Sequence, residues 1–429
     1  MLHLPDILIE LIFIFSHFLL FVATYKVIKN DIMHPAVLFS LLWFVILLAR
    51  FIFSYTLLNE LFPIRISTHL IIFIGALAFS GGAFIQTAIW KKESSQKKID
   101  EVPRDPEETL NLNLRIIFLA IIAIGLPFYI LASYKLFLAS NIDNFFIGLR
   151  TQLVYGDEDI GLVKYLVSFS FIVFGINLYA FFKEKNKVNT VSLIITFLIT
   201  LTYVIFITGR GFFLILFSLY IGMAYLHNEK FSFKRILRFF SLFMIVFMAF
   251  GIIYGKGGNK EDTVKENIKP ASQATAIYLV SAINALDWEL NHQLVINHDG
   301  NNSLRLFVKL GEQLNLIPNA KVEELVQPFV FVPYPTNVYT LYSPYIKDFG
   351  IFYAWFMVGI FGFIHSWVYN KAITTKDFRY SLYYSFLLFP LLISFFMDFY
   401  LTILSSWIQI VFYTESFIFL NKRFKARRL

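Results

Sequence analysis

Long apolar stretches alternate with short polar ones along most of the chain. A helix of about twenty apolar residues is long enough to cross the roughly 30 Å hydrocarbon core of a membrane. Only Thr208, Gly209 and Arg210 separate the sixth stretch from the seventh, which predicts a tight hairpin or one broken element there. The pattern predicts eleven transmembrane helices, at 7–28, 35–57, 67–90, 114–138, 161–182, 189–207, 211–226, 236–254, 349–370, 380–397 and 401–420.

A long polar interval from Gly255 to Lys347 lies late in the sequence. Apolar positions at helical spacing predict helices in it from about Ser272 to Leu290 and from Ser303 to Ile317. An interval of this length between membrane helices forms a lobe on one face of the membrane. The sequence therefore predicts an all-α polytopic membrane protein, with a membrane domain over 1–254, a helical lobe over 255–347 and a second membrane domain over 348–429.

Composition agrees with a membrane protein. Of the 429 residues 58% are hydrophobic and 15% are charged, and the mean hydropathy is +0.66, outside the usual range of soluble domains. The chain has no cysteine, which excludes disulfides and thiolate sites. The net charge of +8 resides largely in short loops between apolar runs, so we expect it to reflect membrane orientation and predict no nucleic-acid partner.

Basic residues also predict the topology. If the basic tail that begins at Lys422 is cytoplasmic, alternating the loops places most of the 37 Lys and Arg residues in short segments on the same side. Cytoplasmic loops of membrane proteins carry such an excess. The lobe and the N-terminus are then extracytoplasmic, and the chain suits a bacterial inner membrane.

Three arginines on the outer side are candidates for phosphate binding: Arg150 in GLRTQLVYGDED, Arg210 in TGRG, and Arg305 in the lobe. The planar guanidinium matches phosphate oxygens with paired hydrogen bonds. The alternative is that each arginine reaches the membrane interface or pairs with a nearby acid.

The lobe ends in TNVYTLYSPYIKDFG, where polar and aromatic residues converge before a membrane helix. Aromatic faces with amide and hydroxyl groups are what sugar rings bind. We therefore predict that Asn337, Tyr339 and Thr340 contact a glycan, with Asp348 beside them. Tyr342 and Tyr345 are interpreted instead as an interfacial aromatic belt, and an alternative for Asp348 is to cap the next helix.

Other titratable groups have weaker patterns. The acidic run GDEDIG at 156–161 is either a divalent-cation site or, as we favour, a solvated loop. His292 and His298 are too loosely spaced for a helical metal pair and are expected at the surface, with a general-base role as the alternative. Asp398 and Glu415 are expected to be partnered or neutral, with proton relay as the alternative.

The eleven predicted spans, the TGRG connection, the external lobe, and NVYTLYSPYIKDFG followed by GIFYAWFMVGIFGF together resemble the oligosaccharide repeat-unit polymerases, the O-antigen (Wzy-type) polymerases. The resemblance implies a GT-C-like fold and glycosyl transfer from undecaprenyl-pyrophosphate-linked oligosaccharide at the periplasmic face, without metal or other cofactor. It also implies membrane lipid and a chain-length regulator as partners. The external-loop arginines of the family correspond here to Arg210, Arg150 and Arg305. We therefore predict catalytic roles for Arg210 and Arg150, with Asp348 as the candidate base and His298 as a weaker one. Substrate binding is predicted for Arg305, Asn337, Tyr339 and Thr340.

Three alternatives remain open. O-antigen ligases share this layout, but they typically carry a histidine motif in the large loop where this chain has Asn337-Val338-Tyr339. A flippase or transporter for a lipid-linked glycan predicts internal symmetry, which the sequence lacks. A structural or sensory membrane protein would make these clusters incidental.

Overall fold

A computed structural model describes residues 4–97, 110–156, 160–227, 264–292, 294–317 and 322–426, with 238, 241, 245, 248 and 249. Of the residues that the structure describes, 76% are helical, which confirms the all-α class. The helices are α1 (Leu4–Val27), α2 (Pro35–Thr56), α3 (Ile66–Lys97), α4 (Leu112–Leu138), α5 (Phe145–Tyr155), α6 (Tyr165–Lys183), α7 (Lys187–Phe206), α8 (Phe212–Leu226), α9 (Val264–His292), α10 (Arg305–Gln313), α11 (Ser343–Phe349), α12 (Ile351–Thr375), α13 (Phe378–Leu392) and α14 (Leu404–Ala426). A 3₁₀ turn at Gly161–Lys164 precedes α6, and two short strands, β1 (Val330–Phe331) and β2 (Pro335–Thr336), pair antiparallel.

Within the described ranges, seven helices are long and apolar enough to cross a membrane: α1, α2, α3, α4, α6, α7 and α12. The protein is therefore a membrane protein with transmembrane helices. These seven confirm the first six predicted spans and the ninth, while α8 is a shorter apolar helix. The predicted span 236–254 lies almost wholly outside the described residues. The last two predicted spans correspond to α13 and α14, which are not among the seven, so the total of eleven stays a prediction.

Asparagine side chains cap the N-termini of several of these helices. Asn111 accepts hydrogen bonds from the backbone N–H groups of Asn113 and Leu114 at the start of α4, and Asn186 does the same for Asn189 at the start of α7. Such caps satisfy N–H groups that have no partner within the helix. Helix starts are therefore fixed by polar residues at the ends of the apolar runs.

The chain packs as two compact units. Unit 1 comprises Met1–Glu101, Ser272–Asn370 and Pro390–Leu404, and unit 2 comprises Val102–Ala271, Lys371–Phe389 and Ser405–Leu429. This division follows packing. The predicted division at 254/255 and 347/348 follows position relative to a membrane, and it stays a prediction.

In unit 1, α3 and α12 approach until their backbones touch. A Cβ atom added to Gly82 would lie 2.0 Å from the carbonyl oxygen of Gly359, and one added to Gly362 would lie 2.0 Å from that of Phe79. Small residues permit such close crossings between membrane helices. Phe79 also stacks on Phe39 of α2, with ring centroids 4.0 Å apart. Substitution of either glycine would push α3 and α12 apart.

A buried arginine joins α9 to the first helices of unit 1. Arg50 of α2 is 1% exposed, and it donates to Glu10 Oε1 of α1 at 2.6 Å and to Asn284 Oδ1 of α9 at 3.0 Å. Its third donor reaches the carbonyl of Phe62 at 2.5 Å. Because a buried charge is tolerated only when it is paired and hydrogen-bonded, this network fixes the position of α9 within the unit.

Unit 2 packs around α6, which is buried along most of its length. Arg115 of α4 is buried, and it donates to Asn177 of α6 at 2.8 Å and to Asn189 of α7 at 2.8 Å. The expectation that Glu415 is partnered is confirmed, because it accepts hydrogen bonds from Arg379 at 2.7 Å and from Tyr383 at 2.8 Å. Amide oxygens thus accept the hydrogen bonds of Arg115, whereas Arg379 is paired with a carboxylate.

Candidate functional site

The segment predicted to bind sugars starts where the β1–β2 hairpin ends. It runs beside the loop between α13 and α14, where Thr340 N donates to Phe396 O at 3.0 Å and Leu341 N donates to Ser394 O at 2.9 Å. Thr340 has a φ of 65°, in the left-handed region that a β-branched residue rarely adopts. The strained residue is held by this pairing to the loop, which places the segment against residues 394–397.

A small pocket, here called the Asp398 pocket, lies among this segment, the start of α10 and the α13–α14 loop of unit 1. Its volume is about 40 Å³, which is room for about three water-sized groups. Asn302, Glu324 and Asp398 contribute further polar groups. The substrate-binding residues predicted from the sequence all line it: Arg305, Asn337, Tyr339 and Thr340.

A hydrogen bond and a neighbouring ion pair fix the side chain of Tyr339 in place. Its hydroxyl donates to the carbonyl of Pro328 at 3.0 Å, and the Lys347 ammonium lies 5.2 Å from its ring centroid. Lys347 pairs with the buried Glu289 at 2.5 Å, and Glu289 accepts from Ser343 at 2.6 Å. Burial raises the pKa of Tyr339 well above its usual range. Tyr339 is therefore a neutral, fixed wall of the pocket.

Asp348 anchors the turn that carries Asn302. It is completely buried, and Oδ1 accepts from Asn302 N at 3.0 Å and from Asn302 Nδ2 at 2.8 Å. Oδ2 accepts from Ser303 N and from Ser303 Oγ, both at 2.6 Å. The capping interpretation of Asp348 is thus wrong about the partner, because Asp348 binds the 302–303 turn rather than the start of α12. Its catalytic role stays a prediction.

Tyr342 and Tyr345 are core residues, and the interpretation of them as an interfacial belt is wrong. Both are fully buried. Tyr342 donates to the carbonyl of Ile72 at 3.3 Å, and Tyr345 donates to Asp398 Oδ1 at 2.9 Å. Buried tyrosines usually satisfy their hydroxyl in this way, and Tyr345 thereby positions a carboxylate of the pocket.

Asp398 lines the pocket, whereas its sequence context predicts only a partnered or neutral acid, with proton relay as the alternative. Oδ1 accepts from Tyr345 and from Tyr400 N at 3.1 Å, and Oδ2 accepts from Thr402 N at 3.0 Å. The side chain of Thr402 is a further hydrogen-bond donor to this carboxylate, so several donors hold it in place. Burial, partly offset by these hydrogen bonds, raises the pKa of Asp398 to about 6. The only sequence signal was a lone acid in MDFYLT between two apolar runs.

Arg305 begins α10 and lies half-buried at the pocket. Burial lowers the pKa of Arg305, while Glu323 and Glu324 oppose that shift. Glu324 lines the same pocket. An anionic ligand at Arg305 would therefore compete with these carboxylates for the guanidinium.

Arg150 and Arg210 belong to unit 2, at the connection between α7 and α8. Arg150 Nη1 donates to the carbonyl of Thr208 at 2.7 Å, and Arg210 is 7% exposed. Thr208 has a φ of 59°, again a strained conformation for a β-branched residue. The structure thus joins these two predicted residues at one connection, here called the arginine turn (Arg150 with 207–211). A single site that also includes Arg305 stays a prediction.

No protein-family model, curated protein or solved structure matches this chain. The resemblance to repeat-unit polymerases therefore rests on the residues and layout given above.

The metal-site hypothesis for the acidic run at 156–161 is not tested by the structure. Asp157, Glu158 and Asp159 of the acidic run lie outside the described residues. In the part of the chain that the structure does describe, no three His, Cys, Asp or Glu side chains are grouped to hold a metal ion. His292 and His298 are exposed, as predicted.

Proposed function

We propose that the protein polymerises lipid-linked oligosaccharide repeat units of a bacterial surface polysaccharide. It acts as a glycosyltransferase at the periplasmic face of the inner membrane, with undecaprenyl-pyrophosphate-linked glycan as donor, the N-terminus periplasmic and the C-terminus cytoplasmic. One observation carries most of the support. The residues chosen from the sequence for sugar binding line one pocket, and the same pocket holds the carboxylate of Asp398.

In the proposed reaction the oxygen of an acceptor sugar hydroxyl attacks the anomeric carbon of the donor glycan. The bond from that carbon to the pyrophosphate oxygen breaks, and its electron pair leaves with the pyrophosphate. The hydroxyl proton passes to a carboxylate of the protein. Guanidinium groups stabilise the negative charge that develops on the leaving group, which is the role that the resemblance gives to Arg210 and Arg150. This scheme uses no metal ion or other cofactor.

Two carboxylates could accept the proton, Asp348 and Asp398. We favour Asp398, because it lines the pocket together with Thr340 and Asn337. A base works best when its pKa lies near the working pH, and a pKa of about 6 leaves Asp398 ionised but still basic at neutral pH. Asp348 instead holds the 302–303 turn, because Oδ1 accepts from Asn302 and Oδ2 accepts from Ser303.

The first experiment is a gel of surface glycan from cells that lack the protein, with and without the gene restored. A polymerase predicts that the deletion leaves single repeat units on the carrier or core and that the ladder of longer chains vanishes. If no repeat unit reaches the carrier or core, a ligase or a flippase replaces the proposal.

A second experiment separates enzyme from transporter. Purified protein in detergent, where no ion gradient exists, is given lipid-linked repeat units. Elongated products support the polymerase. Absence of elongation, together with movement of the lipid-linked glycan across a vesicle membrane, would overturn it.

A further inference from the structure

Unit 1 contains a second, larger pocket, here called the α9 pocket. Its volume is about 660 Å³, within the range of small-molecule sites, whereas the Asp398 pocket holds about 40 Å³. It lies among the first turn of α1, residues 62–67 and the C-terminal end of α9. A transferase for oligosaccharides needs room for more sugars than the one that reacts, and this pocket supplies it.

Aromatic rings form one part of its wall. Trp288 and His292 stack with ring centroids 5.5 Å apart and planes 20° apart, and both line the pocket. His292 Nδ1 lies 2.9 Å from the carbonyl of Trp288, which holds the imidazole ring and leaves Nε2 for a ligand. Flat aromatic surfaces of this kind pack against the apolar faces of sugar rings.

An acidic side chain, Asp287, and a basic one, Arg65, complete the wall of the pocket. Asp287 Oδ1 accepts from Arg65 N at 3.0 Å and from Thr68 Oγ1 at 2.6 Å, while Oδ2 accepts nothing from the residues that the structure describes. The exposed guanidinium of Arg65 makes no ion pair within the described ranges and lines the pocket. An acceptor and a multiple donor beside an aromatic wall match the alternating hydroxyl donors and acceptors of a glycan.

The two pockets share a wall. Ala285, Val330, Val332 and Tyr339 form one buried cluster, against which Trp288 packs. Val332 and Trp288 line the α9 pocket, and Tyr339 lines the Asp398 pocket. The two pockets are therefore neighbours within the same unit, on either side of this cluster.

We propose that the α9 pocket binds an oligosaccharide, namely the sugars of the glycan next to the one that reacts. The identity of that glycan rests on the proposed function, whereas the presence of a carbohydrate site does not. Binding there holds the chain between successive additions, so the pocket sets how far elongation proceeds.

The binding test uses full-length protein in detergent and the free oligosaccharide released by mild acid from the polyprenyl-linked glycan of the cells that make it. Saturation-transfer NMR measures the dissociation constant. We expect Trp288→Ala to weaken binding about tenfold and Arg65→Gln to weaken it less. The matched control is Phe307→Ala, which removes an exposed aromatic residue of α10 that lines neither pocket. Unchanged binding in Trp288→Ala would overturn the proposal.

A second readout keeps this proposal separate from the polymerase. In cells, Trp288→Ala should shorten the glycan ladder without abolishing it, and a normal ladder would contradict the site. If the wild-type protein elongates nothing yet binds the oligosaccharide through Trp288, the site stands and the polymerase falls. If anionic phospholipid co-purifies, is lost in Arg65→Gln, and excludes the oligosaccharide, the pocket is a lipid site and the proposal is overturned.

Discussion

The Asp398 pocket and the arginine turn carry opposite chemistry. The pocket gathers residues that are far apart in sequence, such as Arg305, Asn337 and Asp398, and its distinctive group is a buried carboxylate. The turn is assembled around a few consecutive residues, and its distinctive groups are two guanidinium ions. A carboxylate beside arginines has a lowered pKa and becomes a poor base. The pKa of Asp398 is raised instead, and the largest cause is its burial.

The two regions also share a feature. Each holds a threonine with positive φ, Thr340 at 65° and Thr208 at 59°. Such strain persists only where the surroundings enforce it, and it concentrates at functional sites. In the pocket the carbonyls of the α13–α14 loop enforce it, whereas at the turn Arg150 binds the Thr208 carbonyl directly. Both regions therefore contain a strained threonine. Contacts with the α13–α14 loop hold Thr340, whereas the side chain of Arg150 holds Thr208.

The largest expected effect is that of Asp398→Asn, which removes the base from the pocket. Loss of a general base lowers the rate about 10²- to 10⁴-fold, measured as repeat units added per minute by purified protein. Because the base acts only when ionised, wild-type activity should fall as pH drops through about 6. The residual activity of the variant should lack this fall.

A partner variant checks the same assignment without removing the acid. The hydrogen bond from Tyr345 lowers the pKa of Asp398, so Tyr345→Phe should move the acidic fall in activity to higher pH. An unshifted profile in Tyr345→Phe, with Asp398→Asn active, would remove Asp398 from the reaction.

Arg210→Ala tests the role of the arginine turn. Loss of one group that stabilises developing charge lowers the rate about 10²- to 10³-fold. The glycan ladder should vanish while the protein still inserts in the membrane at the wild-type level, and the fall in activity near pH 6 should be unchanged in any residual activity. Full-length polysaccharide from Arg210→Ala would exclude this residue from the site.

Arg305→Ala should have a smaller effect, because Glu323 and Glu324 already share its charge. We expect KM for the lipid-linked donor to rise about tenfold with little change in kcat, as for loss of uniform binding. Lys309→Ala is the matched control, since Lys309 is an exposed cation of the same helix. An equal effect from both variants would mean that net charge, not the pocket, is responsible.

Features that lie within one segment could be predicted from the sequence, whereas contacts between distant segments could not. Apolar run length located seven membrane helices, and local polarity located Arg305 and Asn337, because these signals lie within one segment. The sequence could not show that Asp398 joins them, since that contact depends on the pairing of Thr340 with the α13–α14 loop. Nor could it separate Asp348 from Asp398, because both are single acids beside apolar runs and differ only in what surrounds their oxygens.

Asp348→Asn has the smallest expected effect on the chemistry and decides between the two carboxylates. The amide would present a donor to the N–H and O–H groups of Asn302 and Ser303, so buried donors lose their acceptor. This should lower the free energy of unfolding by about 2–3 kcal/mol, seen as a lower midpoint of thermal unfolding in detergent. The fall in activity near pH 6 should persist, because Asp398 still titrates. A folded Asp348→Asn protein that loses this fall would make Asp348 the base and leave Asp398 as a structural acid.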